Sequence, residues 1–266
     1  MRRVRLIAAL SLALFVCSCS GNQPNSSGTK EIVISSLLKD LGLGANINSI
    51  VLAVSGDGFD EFTRSVDIVD GTASIVLDVP IGEDRSFEMT AFDGESVALY
   101  SGTTVADVLA GQITEVNIQL DAVVPMIRVS PMFTDTDNDT QKPIRIFVHN
   151  IDSLFGASFR LEYDTSVIAI ASVTEGNMFA GHQTLFFTQQ RPGYVAVAIT
   201  MLGNQSPQGV SGEGTLAVIT LTPRAAGTSP LNIPAATLSL IDWQSNPLPR
   251  QGTLYIEEGE IRVDAP

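Results

Sequence analysis

Between Phe155 and Tyr163 the side chains alternate. Phe155, Ala157, Phe159, Leu161 and Tyr163 fall on one side of an extended chain, and Gly156, Ser158, Arg160 and Glu162 fall on the other. A period of two with one apolar face describes a strand that is half in a core and half in solvent. Tyr163-Asp-Thr-Ser-Val167 then turns the chain into a second apolar run, Val167 to Val173. Further on, Gly209-Val-Ser-Gly-Glu-Gly214 reads as a turn ahead of the strand Thr215-Leu-Ala-Val-Ile-Thr-Leu221. The whole stretch from Ile127 to Val263 is a succession of such strands.

The passage Asn150-Ile-Asp-Ser-Leu-Phe-Gly-Ala-Ser-Phe-Arg-Leu-Glu-Tyr-Asp-Thr-Ser-Val167, followed in order by Gly209 to Leu221 and Ala225-Ala-Gly227, resembles the cohesin domain. The resemblance implies a single jelly-roll β-sandwich of about nine strands. It also implies that a flat sheet face grips a dockerin, a small calcium-loaded helical module carried by other secreted proteins. Cohesins of this kind are scaffold parts and not enzymes. In cellulosomes they gather polysaccharide-degrading enzymes, and similar domains occur in bacteria with no such assembly. Cellulosomal cohesins place Asn and Asp on the contact strand, where this chain carries Gly156 and Ser158.

If a partner-binding face exists, the period names its residues. On the first strand these are Gly156, Ser158, Arg160 and Glu162. On Tyr194 to Met201 they are Tyr194, Ala196, Ala198 and Thr200, with the larger Val195, Val197 and Ile199 assigned to the core. Ser158, Arg160, Glu162 and Tyr194 are the expected contact residues. A face floored by small side chains can take a helix, or it can pack on the first domain.

The N-terminus points to export. Arg2, Arg3 and Arg5 precede the apolar run Leu6 to Val16, shorter than the roughly 20 apolar residues of a membrane-spanning helix. The run ends at Val16-Cys-Ser-Cys-Ser20, a secretory signal with a bacterial lipobox. Residues 1–18 are the expected signal peptide and Cys19, preceded by the small Ser18, the expected acylated residue. Ser20, rather than Asp, after that cysteine favours the outer membrane or cell surface. Residues 19–29 read as a flexible tether. Processing then leaves no thiol for a disulfide or a thiolate metal site. Removing Arg2, Arg3 and Arg5 from 15 Lys and Arg leaves 12 cations against 29 Asp and Glu, a mature net charge of −17. Nucleic acid is therefore not an expected partner, and the membrane is met through the lipid alone.

Residues 30–122 form an expected first domain. Ile50 to Val54, Ser65 to Val69 and Thr72 to Val79 read as strands with a hairpin at Asp70-Gly71. Phe87 to Ala91 is followed by a second hairpin at Asp93-Gly94, and Val116 to Leu120 reads as a last strand. On Val79-Pro-Ile-Gly82, Phe87 to Asp93, Leu99 to Thr103 and Ala110-Gly-Gln112 this part resembles immunoglobulin-like or prealbumin-like modules, which serve as spacers. Ser36 to Leu43 could form a short helical turn. The expected architecture is all-β: a small immunoglobulin-like sandwich, a junction at Ala122 to Pro125, and a nine-stranded jelly roll of cohesin type over 125–266.

Chemistry-bearing constellations are few. Asp135-Thr-Asp-Asn-Asp-Thr140 spaces acids like an EF-hand, but Thr140 and Ile146 stand where that loop needs Gly and Glu. An exposed acidic turn and an irregular calcium (Ca2+) site on Asp135, Asp137 and Asp139 are the readings left, and calcium is the one cofactor to test. His149 and His182 have no third His and no Cys to complete a metal site. Ser211 has its second glycine one place too early for a nucleophile elbow, and a strand follows. No catalytic residue is assigned. Glycan recognition uses exposed rings, and Trp243, the sole tryptophan, is either a core-edge residue or a sugar platform. Three readings follow: capture of a dockerin-bearing partner, direct polysaccharide binding through Trp243, and a structural spacer in an envelope assembly.

Overall fold

The computed structural model describes residues 29–37, 47–67, 72–110, 116, 118–137, 140–203 and 209–265. Cys19, most of the tether, Asp70-Gly71 and Asp139 lie outside these. The chain divides into two compact units, 1–123 and 124–266. Strands build both, and one 3-10 turn, Ala235–Thr237, is the helical element among the described residues.

The first unit contains β1 (Thr29–Leu37), β2 (Ser49–Ser55), β3 (Phe62–Asp67), β4 (Thr72–Pro80), β5 (Gly82–Phe92), β6 (Ala98–Val108) and β7 (Asp121–Ala122). They form a sheet in the order β3-β2-β5-β6-β7 and a separate β1-β4 ladder. Ile50, Leu52 and Val54 of β2 are buried against Phe87 and Met89 of β5, so the period-two reading holds there. Three local expectations change. β3 pairs with β2 and β4 with β1, so among the described residues these consecutive strands enter different sheets; the expected turn at Asp70-Gly71 lies outside those residues. Of the short helical turn expected over Ser36 to Leu43, Ser36 and Leu37 continue β1, and residues 38–43 lie outside the described residues. Val116 and Ile118 are buried as the alternation required, but among the described residues the strand is Asp121–Ala122, and the carbonyl of Gln119 lies against Gly102 of β6 where a side chain would collide. The Asp93 turn behaves as read: its carboxylate accepts the N–H groups of Glu95 and Val97 at 2.9 and 2.8 Å and joins β5 to β6.

A buried cation pins this unit. Arg85 is 5% exposed and donates to three main-chain carbonyls, from Nε to Pro80 at 3.0 Å, Nη1 to Asp57 at 2.7 Å and Nη2 to Ile81 at 2.8 Å. Its guanidinium also lies 4.8 Å from the centre of the Phe59 ring. Gly56 and Gly82 make the room, since a Cβ at either would collide with the guanidinium.

The second unit contains β8 (Met126–Ser130), β9 (Phe133–Thr136), β10 (Lys142–Leu154), β11 (Gly156–Glu162), β12 (Ile168–Glu175), β13 (Thr184–Arg191), β14 (Tyr194–Met201), β15 (Val210–Pro223), β16 (Gly227–Leu231), β17 (Ser239–Ile241), β18 (Tyr255–Glu257) and β19 (Gly259–Val263). The nine strands expected are met by twelve, of which β9, β17 and β18 are short pieces. One layer is β12-β15-β10-β8-β18; the other combines β13-β14-β11-β17 with β16-β19-β9. One core fills the space between the layers, drawing Ile144, Ile146 and Val148 from β10, Ala157, Phe159 and Leu161 from β11, and Val195, Val197 and Ile199 from β14. The odd-numbered inward set of β11 is thus the buried one, with Phe155 and Tyr163 packed at its ends.

The Tyr163 to Val167 turn is held by Asp164. Its carbonyl accepts the N–H groups of Val167 and Ile168, and its Oδ1 accepts the N–H and hydroxyl of Ser166 at 2.8 and 2.6 Å. Those bonds from Ser166 hold the Asp164 carboxyl below its usual range. The turn expected at Gly209 to Gly214 is a correction: β15 already begins at Val210. Here β10 and β15 slip past one another through bulges, Gly212 takes a left-handed backbone (φ 106°), and Ser211 donates to Asp152 Oδ1 at 2.5 Å while accepting the Ser153 N–H at 3.0 Å. Ser211 is a fastener between strands.

Candidate functional site

The outer face of β13-β14-β11-β17 is built row by row by strand register. Phe187, Ala198 and Ser158 lie side by side, followed by Ser239; the next rows are Gln189, Ala196 and Arg160, then Arg191, Tyr194 and Glu162. Alternation sends Val195, Val197, Ile199 and Met201 inward and leaves small side chains as the floor. Gly156 is covered, because Ile241 and Thr200 close over it; a Cβ there would meet each at 3.3 Å. Along this floor run two shallow depressions of about 200 and 470 Å³ that share Ser158, Phe187 and Ala198. Phe187 is 60% exposed and Leu185 41%, so two large apolar side chains stand free on one rim.

At the far end the chemistry changes. The Arg160 guanidinium lies 4.8 Å from the centre of the Tyr194 ring, an arrangement that holds both side chains in place. Around the corner a cavity of about 360 Å³ is lined by Tyr163, Ile168, Arg191 and Arg224 among others. Burial pushes the Tyr163 phenol up, and Arg224 opposes it. A flat trough with an apolar rim and a basic end can seat a helix or strand of another protein; nothing in it positions a nucleophile against a base.

Residues 143–242 match the family model of the cohesin domain. The second unit carries a cohesin domain. No curated protein matches the chain. Among solved structures it is similar to a non-cellulosomal cohesin from Archaeoglobus fulgidus, at 15% identity and a TM-score of 0.43, over 53% of this chain and 91% of that one. It is similar to the seventh ScaB type I cohesin from Pseudobacteroides cellulosolvens at 16% identity and a TM-score of 0.42, over 53% and 93%. A type I cohesin–dockerin complex from Clostridium thermocellum gives 13% identity and a TM-score of 0.42, over 53% and 92%.

The four expected contact residues, Ser158, Arg160, Glu162 and Tyr194, all lie on the outer face of the cohesin domain. Leu185 and Phe187 were not expected there. The signal was available in Pro192-Gly193, which joins Thr184–Arg191 to Tyr194–Met201 as a hairpin and so puts alternate residues of β13 beside Tyr194, Ala196, Ala198 and Thr200. Asp135 and Asp137 are exposed; among the described residues no three His, Cys, Asp or Glu side chains gather as a metal site. His149 Nδ1 lies 2.9 Å from Glu213 Oε2, a two-residue contact across β10 and β15.

Trp243 is 49% exposed, a half-covered ring just beyond β17. It sits on a turn organised by Asp242, whose buried carboxylate accepts the N–H groups of Gln244 and Asn246, the Asn246 amide and, at 2.6 Å, the Arg250 guanidinium. These bonds, the Asn246 amide first, outweigh the burial and pull the Asp242 carboxyl down to about 2. In the unfolded chain an aspartate titrates near ~3.9. A depressed folded value means that the turn's stabilisation is full above that pH and is withdrawn as pH falls towards 2. Urea titrations should therefore find Asp242→Asn less stable than wild type at neutral pH, with the gap closing between about pH 4 and pH 2; a gap independent of pH would refute the assignment.

Proposed function

We propose that this chain is a non-catalytic lipoprotein, tethered through Cys19 to the outer membrane or cell surface, whose cohesin domain captures another secreted protein on the β13-β14-β11-β17 face. The occupant is a dockerin-type, calcium-loaded helical module, and the setting is the degradation of polysaccharide. The observation that carries the reading is the exposed trough itself: small residues on the floor, Leu185 and Phe187 free on the rim, and Arg160 stacked on Tyr194 at the end. Exposed apolar rims beside a floor that cannot obstruct a helix mark a docking surface. The lipobox supports the anchor. Trp243 alone supplies no strip of rings, so direct glycan binding has less to draw on.

The test is retention of secretome proteins from the source organism on immobilised residues 20–266, in calcium and in chelator. We expect a protein with a calcium-loop module to be retained in calcium, and Ala198→Arg, which fills the floor, to weaken retention at least about tenfold. Retention of no such protein, or equal retention by the variant, defeats the proposal.

A further inference from the structure

Among the described residues of the second unit, every edge strand but one is short or interrupted. β9, β17 and β18 are short, β16 carries Pro230, and β12 is interrupted by a bulge between Ile170 and Ser172. These are the devices by which sheets avoid pairing with foreign strands. β13 has no proline and no bulge, and it is regular along its full pairing with β14; its charges are confined to its ends, Arg191 at the last position and Glu175 of β12 accepting from the Thr184 hydroxyl at 2.8 Å at the first.

The register shows which backbone groups are free. Leu202 N–H donates to the Gln183 carbonyl at 2.8 Å, which makes Thr184 and Met201 a non-hydrogen-bonded pair. The N–H and C=O groups of Thr184, Phe186, Thr188 and Gln190 therefore point away from β14, along the open side of the sheet. On the outer face of the same strand stand the exposed Leu185 and Phe187.

We infer that β13 is a self-association edge, pairing antiparallel with β13 of a second copy of this chain about a two-fold axis. Centred on Phe187, the pairing sets Thr184 against Gln190 of the copy and Phe186 against Thr188, so every free group meets one and about eight hydrogen bonds form. Phe187 faces its own counterpart across a non-hydrogen-bonded position, where side chains are closest, and Leu185 faces Gln189. Self-complementarity selects a second copy over an arbitrary extended segment: the apolar ring left in solvent on one copy is what the other presents. The dimer carries two troughs on one continuous sheet, whatever occupies them.

Sedimentation equilibrium of the non-acylated chain, residues 20–266, up to about 0.5 mM tests this. A monomer–dimer equilibrium is expected. Thr188→Pro removes an outward N–H and leaves the β14 ladder intact, so the dimer dissociation constant should rise at least about tenfold while the circular dichroism spectrum is unchanged. Phe187→Lys should do the same through the exposed ring, and it carries the test alone if the proline variant fails to fold. A wild type that stays monomeric throughout overturns the inference. So does a Phe187→Lys or folded Thr188→Pro chain that dimerises as tightly as wild type, or a monomer that instead binds a foreign extended segment along β13.

Discussion

Truncating Phe159 to alanine is expected to destabilise the second unit by about 3–5 kcal/mol, the range for removing a large aromatic ring from a core that can only partly collapse around the void. Phe159 is 2% exposed, sits in the middle of β11 beside Val197 of β14, and lies in the layer between both sheets. A domain of this size has only about 5–15 kcal/mol to lose. Trp243 fluorescence isolates the effect, because the sole tryptophan belongs to this unit. Phe187→Ala is the matched control: the same ring, 60% exposed, should change stability by no more than about 0.5 kcal/mol. Equal losses at the two positions would show that burial does not follow the alternation, and the account of the outer face would fall with it.

Arg85→Met is expected to cost the first unit about 3 kcal/mol. Three carbonyls from two separate stretches of chain, Asp57 and Pro80 to Ile81, lose their donor. Each unsatisfied buried acceptor is worth about 1–3 kcal/mol, partly offset because a buried charge is removed with the side chain. Lysine should not rescue it: one ammonium on a flexible stem cannot reproduce the planar fork that reaches all three oxygens and covers Phe59. Urea unfolding followed by circular dichroism should show the first unit's transition moved to lower urea in both variants, with the Trp243 transition unmoved. A lysine variant as stable as wild type would mean that charge alone, and not the fork, does the pinning.

Much of the second unit is legible in its sequence, for a definite reason. A strand with one wet face writes its orientation into every second residue, so Phe155 to Tyr163 and Tyr194 to Met201 declared both the core and the outer face. The same logic stopped at β13, where Leu185, Phe186 and Phe187 are consecutive apolar residues: Phe186 packs on the core while Leu185 and Phe187 stand exposed on the other side, so the alternation of polarity is lost. It failed at Gly209 to Gly214 because a bulged strand and a turn use the same glycines. Arg85 and Asp242 were out of reach altogether: each is defined by partners that only the fold assembles, as when Arg85 spans 28 positions to reach Asp57. Charge counts register such residues as solvated surface.

Most neighbours in the second unit run antiparallel, yet β18 lies parallel to β8 and β19 parallel to β9. The opening strands of the unit are thus completed by Tyr255 to Val263, which are synthesised well after them. As the chain emerges in order, hairpins such as β13–β14 can close early, but Met126 to Thr136 must wait, with one flank uncovered, until Tyr255 to Val263 arrive. A holdase chaperone therefore has its longest opportunity to act on those first two strands.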